Sequence, residues 1–559
     1  MLISKDLSKL FSIMLLTISI LYVNNYIFLT LNSHYYLKMK KIISIILSLI
    51  TGSLCVFAGN PTMKKPNIIY ILADDLGYGG LGIYGQEMIE TPNIDQLAKE
   101  GMRFTQHYSG APVCAPARCV LLTGLHTGKS QVRGNDEWRE RGDVRNYLAM
   151  LADSTLEGQR PIKEGTPTIG RALQSVGYTT AITGKWGLGA PHTAGTPNKQ
   201  GFDFFYGYNC QRQAHTLYPV HLWKNGRRVY LNNDTVAPHA PPLAGDADPY
   251  DPASYARYNL TDYAPTKIFE HVTQFVNKNR SNPFFLYWAS PIPHAPMQAP
   301  KKWVDYYVEK FGDEEPYIGK EGGASYFPCR YPHATYAAMI SYLDENVGKL
   351  IQQLKDLGLY DNTIIMFSSD NGPGTYGNIR FNNPDLYPPF FDTASPFRND
   401  PSYTKGSVYE GGIRVPMIVR WPGVVEPGTV SDHISCFDDV FPTLAEITGA
   451  DVPAEATGIS FLPTLKGNKQ TEREYLYWEF PHKDGQLAVR IGDMKAIARN
   501  AKTSPAPEWQ LFNIVTDPQE REDISESHPE VISRVNEIAF SAHTKSPNKK
   551  WWFKALGDF

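Results

Sequence analysis

The stretch Ser109-Gly110-Ala111-Pro112-Val113-Cys114-Ala115-Pro116-Ala117-Arg118-Cys119-Val120-Leu121-Leu122-Thr123-Gly124 decides how the rest of the chain is read. It has the form of a helix entrance. Proline is tolerated only in a helix's first turn, where its missing N–H has no partner to lose, so Pro116 puts Cys114 at or just before the helix start. Val120, Leu121 and Leu122 supply an apolar face, and Gly124 is a natural stop because it takes a left-handed conformation without a Cβ penalty. Cys114 therefore falls at the positive end of the helix, which attracts anions. Arg118, four residues on, lies on the same face, setting a nucleophile-type side chain beside a permanent cation. Taken alone, a cysteine in such a place is more often a small buried hydrophobe.

Outward from this stretch, residues 67–73, Asn67-Ile68-Ile69-Tyr70-Ile71-Leu72-Ala73, form an almost wholly apolar run, the mark of a strand buried on both faces of a parallel sheet. Asp74 and Asp75 follow at once. In an open α/β sheet ligands gather beyond the carboxyl ends of strands, so two acids there are placed for a metal. The arrangement repeats: a strand at 179–183 leads to Gly184-Lys185, and a strand at 363–367 delivers Ser369-Asp370-Asn371. Further buried strands are predicted at 284–288, running on to Pro293-His294, and at 415–419. Helices are predicted from Thr91-Pro92 through Ala98 and at 169–176, 268–276, 334–357 and 441–447. Residues 188–264 have little periodicity and are expected to form loops over the site, and a loop at 376–403 offers aromatic platforms for a sugar. After residue 467 the runs turn strand-like, at 475–480 and 487–491, with a last helix near 530–540.

Asp74, Asp75, Asp370 and Asn371 offer only oxygen ligands, which suit calcium, with magnesium second, and lack the His and Cys that zinc favours. The net charge of -3, with 20% charged residues and no basic run in the body of the chain, argues against a nucleic-acid partner. Cys119, Cys210, Cys329 and Cys436 are scattered, which is neither a zinc site nor a dense disulfide framework; one or two disulfides and free buried thiols both remain open.

Met39-Lys40-Lys41, the apolar run at 42–50 and Val56-Phe57-Ala58 have the pattern of a secretory signal peptide cleaved before Gly59. A second apolar stretch at 11–31 is read as the product of a start site placed too early, true initiation being at Met39, with a membrane anchor as the alternative. The expected organisation is an N-terminal extension and signal peptide (1–58), a catalytic domain (65–467) and a C-terminal α+β subdomain (468–559), in a protein exported to the periplasm.

Cys114-x-Pro116-x-Arg118 followed by Leu122-Thr123-Gly124 resembles the signature of the type I sulfatases, in the alkaline phosphatase superfamily. The resemblance extends in the family's order over about residues 65–555, through Asp74-Asp75, Gly184-Lys185-Trp186, Asp370-Asn371-Gly372, Lys405-Gly406 and Glu410-Gly411-Gly412-Ile413-Arg414-Val415-Pro416. It implies an α/β fold, an alkaline-phosphatase-like mixed sheet flanked by helices, with a smaller C-terminal domain on an antiparallel sheet. It implies that a maturation enzyme oxidises Cys114 to formylglycine, and that Cys114 in this form joins Asp74, Asp75, Asp370 and Asn371 at the metal. The poor fit of a thiolate to calcium agrees with that conversion. By the same resemblance Arg118 steadies the hydrated aldehyde, Lys185 and Lys405 hold sulfate oxygens, and His294 protonates the leaving alcohol. The implied reaction is hydrolysis of a sulfate ester. The long polar and aromatic loops, and a resemblance to bacterial galactosamine-sulfate enzymes, direct it to sulfated carbohydrate. The alternatives are a formylglycine-dependent phosphonate or phosphodiester hydrolase and a secreted carbohydrate-binding protein without turnover.

One departure stands out. Family members often read Gly-Lys-Trp-His-Leu-Gly, whereas this chain has Gly184-Lys185-Trp186-Gly187-Leu188-Gly189. His215 is the candidate to replace the missing histidine, with His192 second. His215 has an equal claim to read a sugar hydroxyl, and a solvated loop histidine is the bland alternative.

Overall fold

Alternate residues of strand β1 (Asn67–Ala73) enter two different cores: Ile69, Ile71 and Ala73 pack on one side of a sheet, and Ile68, Tyr70 and Leu72 on the other. That is why the run is apolar throughout rather than alternating. The computed structural model describes residues 65–239, 241–319, 326–374 and 390–559. The expectations for residues 1–58, and for the 376–403 loop as far as 389, lie outside the described residues.

The further strands are β2 (Met102–Phe104), β3 (His107–Tyr108), β4 (Thr179–Lys185), β5 (Phe204–Tyr208), β6 (His221–Lys224), β7 (Arg227–Tyr230), β8 (Phe284–Ala289), β9 (Thr363–Ser369), β10 (Met417–Arg420), β11 (Thr429–Ser431) and β12 (Ser435–Cys436). Nine of them join β1 in the large sheet, in the order β11-β2-β10-β9-β1-β8-β4-β5-β6-β7. Its centre, from β9 to β5, is parallel, and it turns antiparallel at β10 and β6. One face carries the helices Pro92–Lys99, Ala264–Lys278 and Pro332–Asp356; the other carries Cys114–Thr123, Ile169–Ser175 and Val440–Thr448. The α/β mixed sheet flanked by helices is therefore present.

Residues 188–264 differ from expectation. They are not only loops, because β5, β6 and β7 extend the large sheet at one edge. The strands are four or five residues long and β7 is half-exposed, so neither periodicity nor a continuous apolar run marks them. Asn225-Gly226 between β6 and β7, with Asn225 at φ 54°, is the hairpin signal that identifies the turn.

A four-stranded antiparallel sheet follows, β13 (Leu476–Phe480), β14 (Gln486–Ile491), β15 (Met494–Ala498) and β16 (Trp509–Asn513). Its strands alternate: Leu487, Val489 and Ala496 face the helix Pro529–Ala542, while Trp478, Ala488 and Ile497 pack on Tyr108, Val113, Val408 and Ile413. The small sheet thus backs the segment that enters the Cys114 helix, and Trp478 Nε1 donates to the Ser109 carbonyl at 2.9 Å. Residues 65–559 form one compact unit. All five described cysteines are buried free thiols, and no helix among the described residues is long and apolar enough to cross a membrane.

The C-terminal end is tied down by His543, whose Nδ1 lies 2.6 Å from Glu479 Oε1 and whose Nε2 lies 3.0 Å from Asp558 Oδ1. Burial works against a charge on this imidazole, but the two carboxylates outweigh it and hold its pKa above the usual value. A raised folded-state pKa contributes stability that is fully present below the unfolded value, about 6.5, and is lost as pH rises through the folded one. The melting temperature is therefore expected to fall on the alkaline side of neutrality, and less steeply in His543→Gln. Superimposable pH profiles by scanning calorimetry would remove the imidazole from this role.

Candidate active site

β9, β1, β8 and β4 are parallel neighbours, so their carboxyl ends share one edge of the sheet. Each delivers chemistry there: Asp370 and Asn371 after β9, Asp74 and Asp75 after β1, His294 in the segment after β8, and Lys185 as the last residue of β4. Asp75 turns the chain in the left-handed conformation (φ 66°), one that aspartate tolerates better than most residues. The turn is held by Asp75 N donating to Asp370 Oδ1 at 3.0 Å and Leu76 N to Ser369 Oγ at 2.9 Å.

The helix Cys114–Thr123 points its N-terminus at this edge and ends at Gly124 in the left-handed conformation. Cys114 and Arg118 both lie inside the site, with side chains essentially without exposure. Arg118 donates through Nε and Nη2 to Asp370 Oδ2 at 3.1 and 2.8 Å and through Nη1 to the Lys185 carbonyl at 2.6 Å, and its Nη2 lies 3.4 Å from Asp74 Oδ2. Lys185 Nζ is 2.6 Å from Asp74 Oδ2 and 3.6 Å from Cys114 Sγ, which lies 3.5 Å from Asp74 Oδ1. Lys405 Nζ is 2.6 Å from Asp75 Oδ2, Asn371 Nδ2 donates to Asp75 Oδ1 at 2.6 Å, and His294 Nε2 lies 3.7 Å from Asp75 Oδ2. Lys405 retains 18% side-chain exposure while Asp74, Asp75, Arg118, Lys185 and His294 retain 3% or less, so the site opens on the Lys405 side.

Burial disfavours the charge of Asp74, but Lys185 and Arg118 overcome it and hold the carboxyl below its usual value. Burial, with the charges of Asp74 and Asp370 added, pushes Asp75 up to about 7 despite Lys405. Burial and Asp74 push the Cys114 thiol up, so the unmodified sulfur is protonated at neutral pH and a poor nucleophile. Burial and the two ammonium groups hold His294 well below its ordinary value, while its Nδ1 is hydrogen-bonded to the Ala295 carbonyl at 2.6 Å.

The donor set fits a hard divalent cation. Ligand atoms of Asp74, Asp75, Cys114 and His294 lie within 4.8 Å of one another, and Asn371 Oδ1 is buried with no hydrogen-bond partner among the described residues. An orphaned amide oxygen beside three carboxylates is what an oxygen-seeking ion needs. His294, read in the sequence only as an acid, belongs to this cluster by position. Asp370 borders it, its carboxylate also engaged by Arg118 and the Asp75 amide.

His215 stacks on His294 with centroids 5.0 Å apart and rings 15° from parallel, and its Nδ1 lies 3.0 Å from His239 Nε2. His192 is elsewhere, 3.2 Å from Ser154 Oγ and edge-on to Trp223. Gly187 has φ +86°, and a Cβ there would fall 2.5 Å from Cγ and Nε2 of Gln211. Gln211 thus fills the space beside Gly187. Sequence reasoning missed Gln211 and His239. The departure at Gly187 was the only signal for the first, and the second lies in an aperiodic stretch that offers none.

A family model described as Sulfatase matches residues 66–450, and one described as N-sulphoglucosamine sulphohydrolase, C-terminal, matches residues 401–539. The chain belongs to the sulfatase family. Arylsulfatase A of Homo sapiens is 31% identical over 466 residues, covering 79% of this chain and 76% of that protein. N-acetylgalactosamine-6-sulfatase of Homo sapiens is 30% identical over 498 residues, covering 87% and 79%. The crystal structure of Ps i-CgsB in complex with k-i-k-neocarrahexaose aligns with a TM-score of 0.62 at 28% identity, covering 89% of this chain and 95% of that one. The protein is accordingly an enzyme, a sulfatase, built on an alkaline-phosphatase-like sheet.

Proposed function

We propose that the protein removes sulfate from sulfated carbohydrate, through a formylglycine made from Cys114 by a maturation enzyme and a calcium ion, with magnesium the second choice. The observation that carries this is the position of Cys114: a protonated, poorly nucleophilic thiol at a helix entrance, between Asp74 and Lys185, in a pocket of oxygen donors and cations. Asp74, Asp75, Asp370 and Asn371 would hold the ion with the modified Cys114 side chain. When bound, calcium lowers the cost of ionising the attacking hydroxyl and offsets the charge of the sulfate. Without an ion, three carboxylates face Arg118, Lys185 and Lys405, a formally neutral set. Two added positive charges are then matched by the sulfate ester and the negative charge developing on the attacking oxygen.

One hydroxyl of the hydrated formylglycine passes its proton to Asp74 Oδ1, the oxygen that Cys114 Sγ faces at 3.5 Å, and attacks sulfur while Lys185 and Lys405 bind the sulfate oxygens, and the bond from sulfur to the sugar oxygen breaks. His294 gives that oxygen a proton, its pKa raised once the anionic substrate offsets the two ammonium charges. The second hydroxyl then loses its proton, the carbonyl re-forms, and sulfate leaves by cleavage of its bond to carbon, with no water attacking sulfur. Arg118 orients the diol, and His215, stacked on His294, accepts the last proton in place of the histidine missing at Gly187. The signal-peptide pattern of residues 39–58 supports export to the periplasm.

The test is product analysis on matched sulfate, phosphate and phosphonate esters and on defined sulfated saccharides. Sulfate release is expected to have the highest kcat/KM. Faster release from the phosphorus esters would replace this reading with a phosphonate or phosphodiester hydrolase, and saccharide binding without sulfate release by formylglycine-bearing protein would favour a carbohydrate-binding role. His215→Ala is expected to lower kcat by about 10²-fold or more while KM changes little. A rise confined to KM would make His215 a reader of a sugar hydroxyl instead.

A further inference from the structure

The short 3-10 turn Gln211–His215 reaches beyond the reacting groups. Lys185 and Lys405 act electrostatically on His215, His215 Nδ1 lies 3.0 Å from His239 Nε2, and His239 in turn senses the charges of Arg212 and Arg145. Arg212 is half-buried and Arg145 exposed, and among the described residues neither has a side-chain hydrogen bond, an ion pair or a ring contact. The carboxylate they do act on, Glu137, is occupied elsewhere: its Oε1 accepts from Gln159 Nε2 at 3.3 Å, and Gln159 Oε1 accepts from Gln211 N at 3.1 Å. Burial pushes Glu137 up to about 7 even with both arginines near, so it is a poor counter-charge. On the same turn, Gln211 Nε2 and both amide atoms of Gln213 are buried without a hydrogen-bond partner among the described residues, in residues 4% and 1% exposed.

Two uncompensated guanidiniums repel one another, and unpaired buried amides are costly. A ligand carrying a negative charge and hydroxyl groups relieves both. The guanidinium fork matches the oxygens of a carboxylate and of a sulfate equally well.

We infer that Arg212 and Arg145, with the Gln213 amide, form a subsite for a second anionic group, a carboxylate or a further sulfate, on the saccharide whose sulfate ester enters the Cys114 site. The inference rests on the sulfatase reading of that site and narrows its substrates to saccharides with more than one negative charge. Because both arginines act on His239, which meets His215, and Arg212 lies on the turn that ends at His215, the second anion belongs to a neighbouring position on the sugar or to the adjoining sugar.

The experiment is calorimetric binding to Cys114→Ala protein of three probes: N-acetylgalactosamine 6-sulfate, N-acetylgalactosamine 4,6-disulfate and a chondroitin 6-sulfate disaccharide, which adds a uronate. The second anion is expected to tighten binding by about tenfold or more, and combined Arg212→Ala and Arg145→Ala replacements should abolish that gain. Arg212→Lys should recover part of it, since charge returns without the fork. A gain for the disulfate alone assigns the subsite to sulfate, and for the disaccharide alone to carboxylate. Equal affinity for all three probes, binding of none, or a gain that survives both replacements overturns the inference. Sulfate release from 4-nitrophenyl sulfate by the parent enzyme, a substrate with no second anion, reports separately on the sulfatase reading.

Discussion

Cys114→Ser is expected to yield a folded protein that becomes sulfated once and then stalls, with steady-state turnover lower by about 10⁴-fold or more. A plain hydroxyl can attack sulfur from this position, but its sulfate ester has no second hydroxyl on the same carbon, so the carbonyl that expels sulfate cannot form. Intact mass measurement after incubation with substrate should find one added sulfuryl group on the peptide containing residue 114. In the parent the same peptide should carry formylglycine, and activity should scale with the modified fraction. Cys114→Ala should be inactive yet folded, because the change removes one sulfur whose contacts, at 3.5 Å to Asp74 Oδ1 and 3.6 Å to Lys185 Nζ, are weak, and it opens no large cavity. An unmodified thiol in fully active enzyme, or normal turnover in the serine variant, would sink the mechanism.

Asp74→Ala is expected to abolish activity and, with it, the protection that calcium gives against heat. A ligand bound only by the folded state stabilises it by about 2.7 kcal/mol at a hundred times its dissociation constant, so the parent's melting temperature should climb with calcium while the variant's stays flat. The variant is also expected to be less stable without calcium, because Lys185 loses its 2.6 Å partner and Arg118 keeps only Asp370 as a carboxylate partner; breaking a buried pair costs about 3–5 kcal/mol. Asn371→Ala is the gentler companion, deleting the orphaned Oδ1 without stranding a buried charge. Full activity after exhaustive chelation, or a calcium shift undiminished in both variants, would defeat the assignment of the ion to these residues.

Much of the fold was legible because its signals are local. The run 67–73 is apolar since both its faces are covered, and the helix at Cys114 is bounded by Pro116 in its first turn and Gly124 at its end. Lys185 is closer to the sheet than expected: β4 runs two residues past the predicted 183, so the lysine is held by the strand itself. The edge strands β5 to β7 escaped notice because short, half-exposed strands have no periodicity of their own and exist by pairing with β4 and with one another.

Sequence alone therefore determined the buried strands, the acids that follow them, and the helix entrance that carries Cys114, because each depends on backbone preferences and burial within a few residues. Tertiary structure alone decided that Gln211 occupies the space beside Gly187, that His215 stacks on His294 and meets His239, and that Arg212 and Arg145 are unpaired among the described residues. Those relations join loops far apart in the chain, where a side chain's neighbours are set by how the sheet brings the loops together and leave no periodic trace in the sequence.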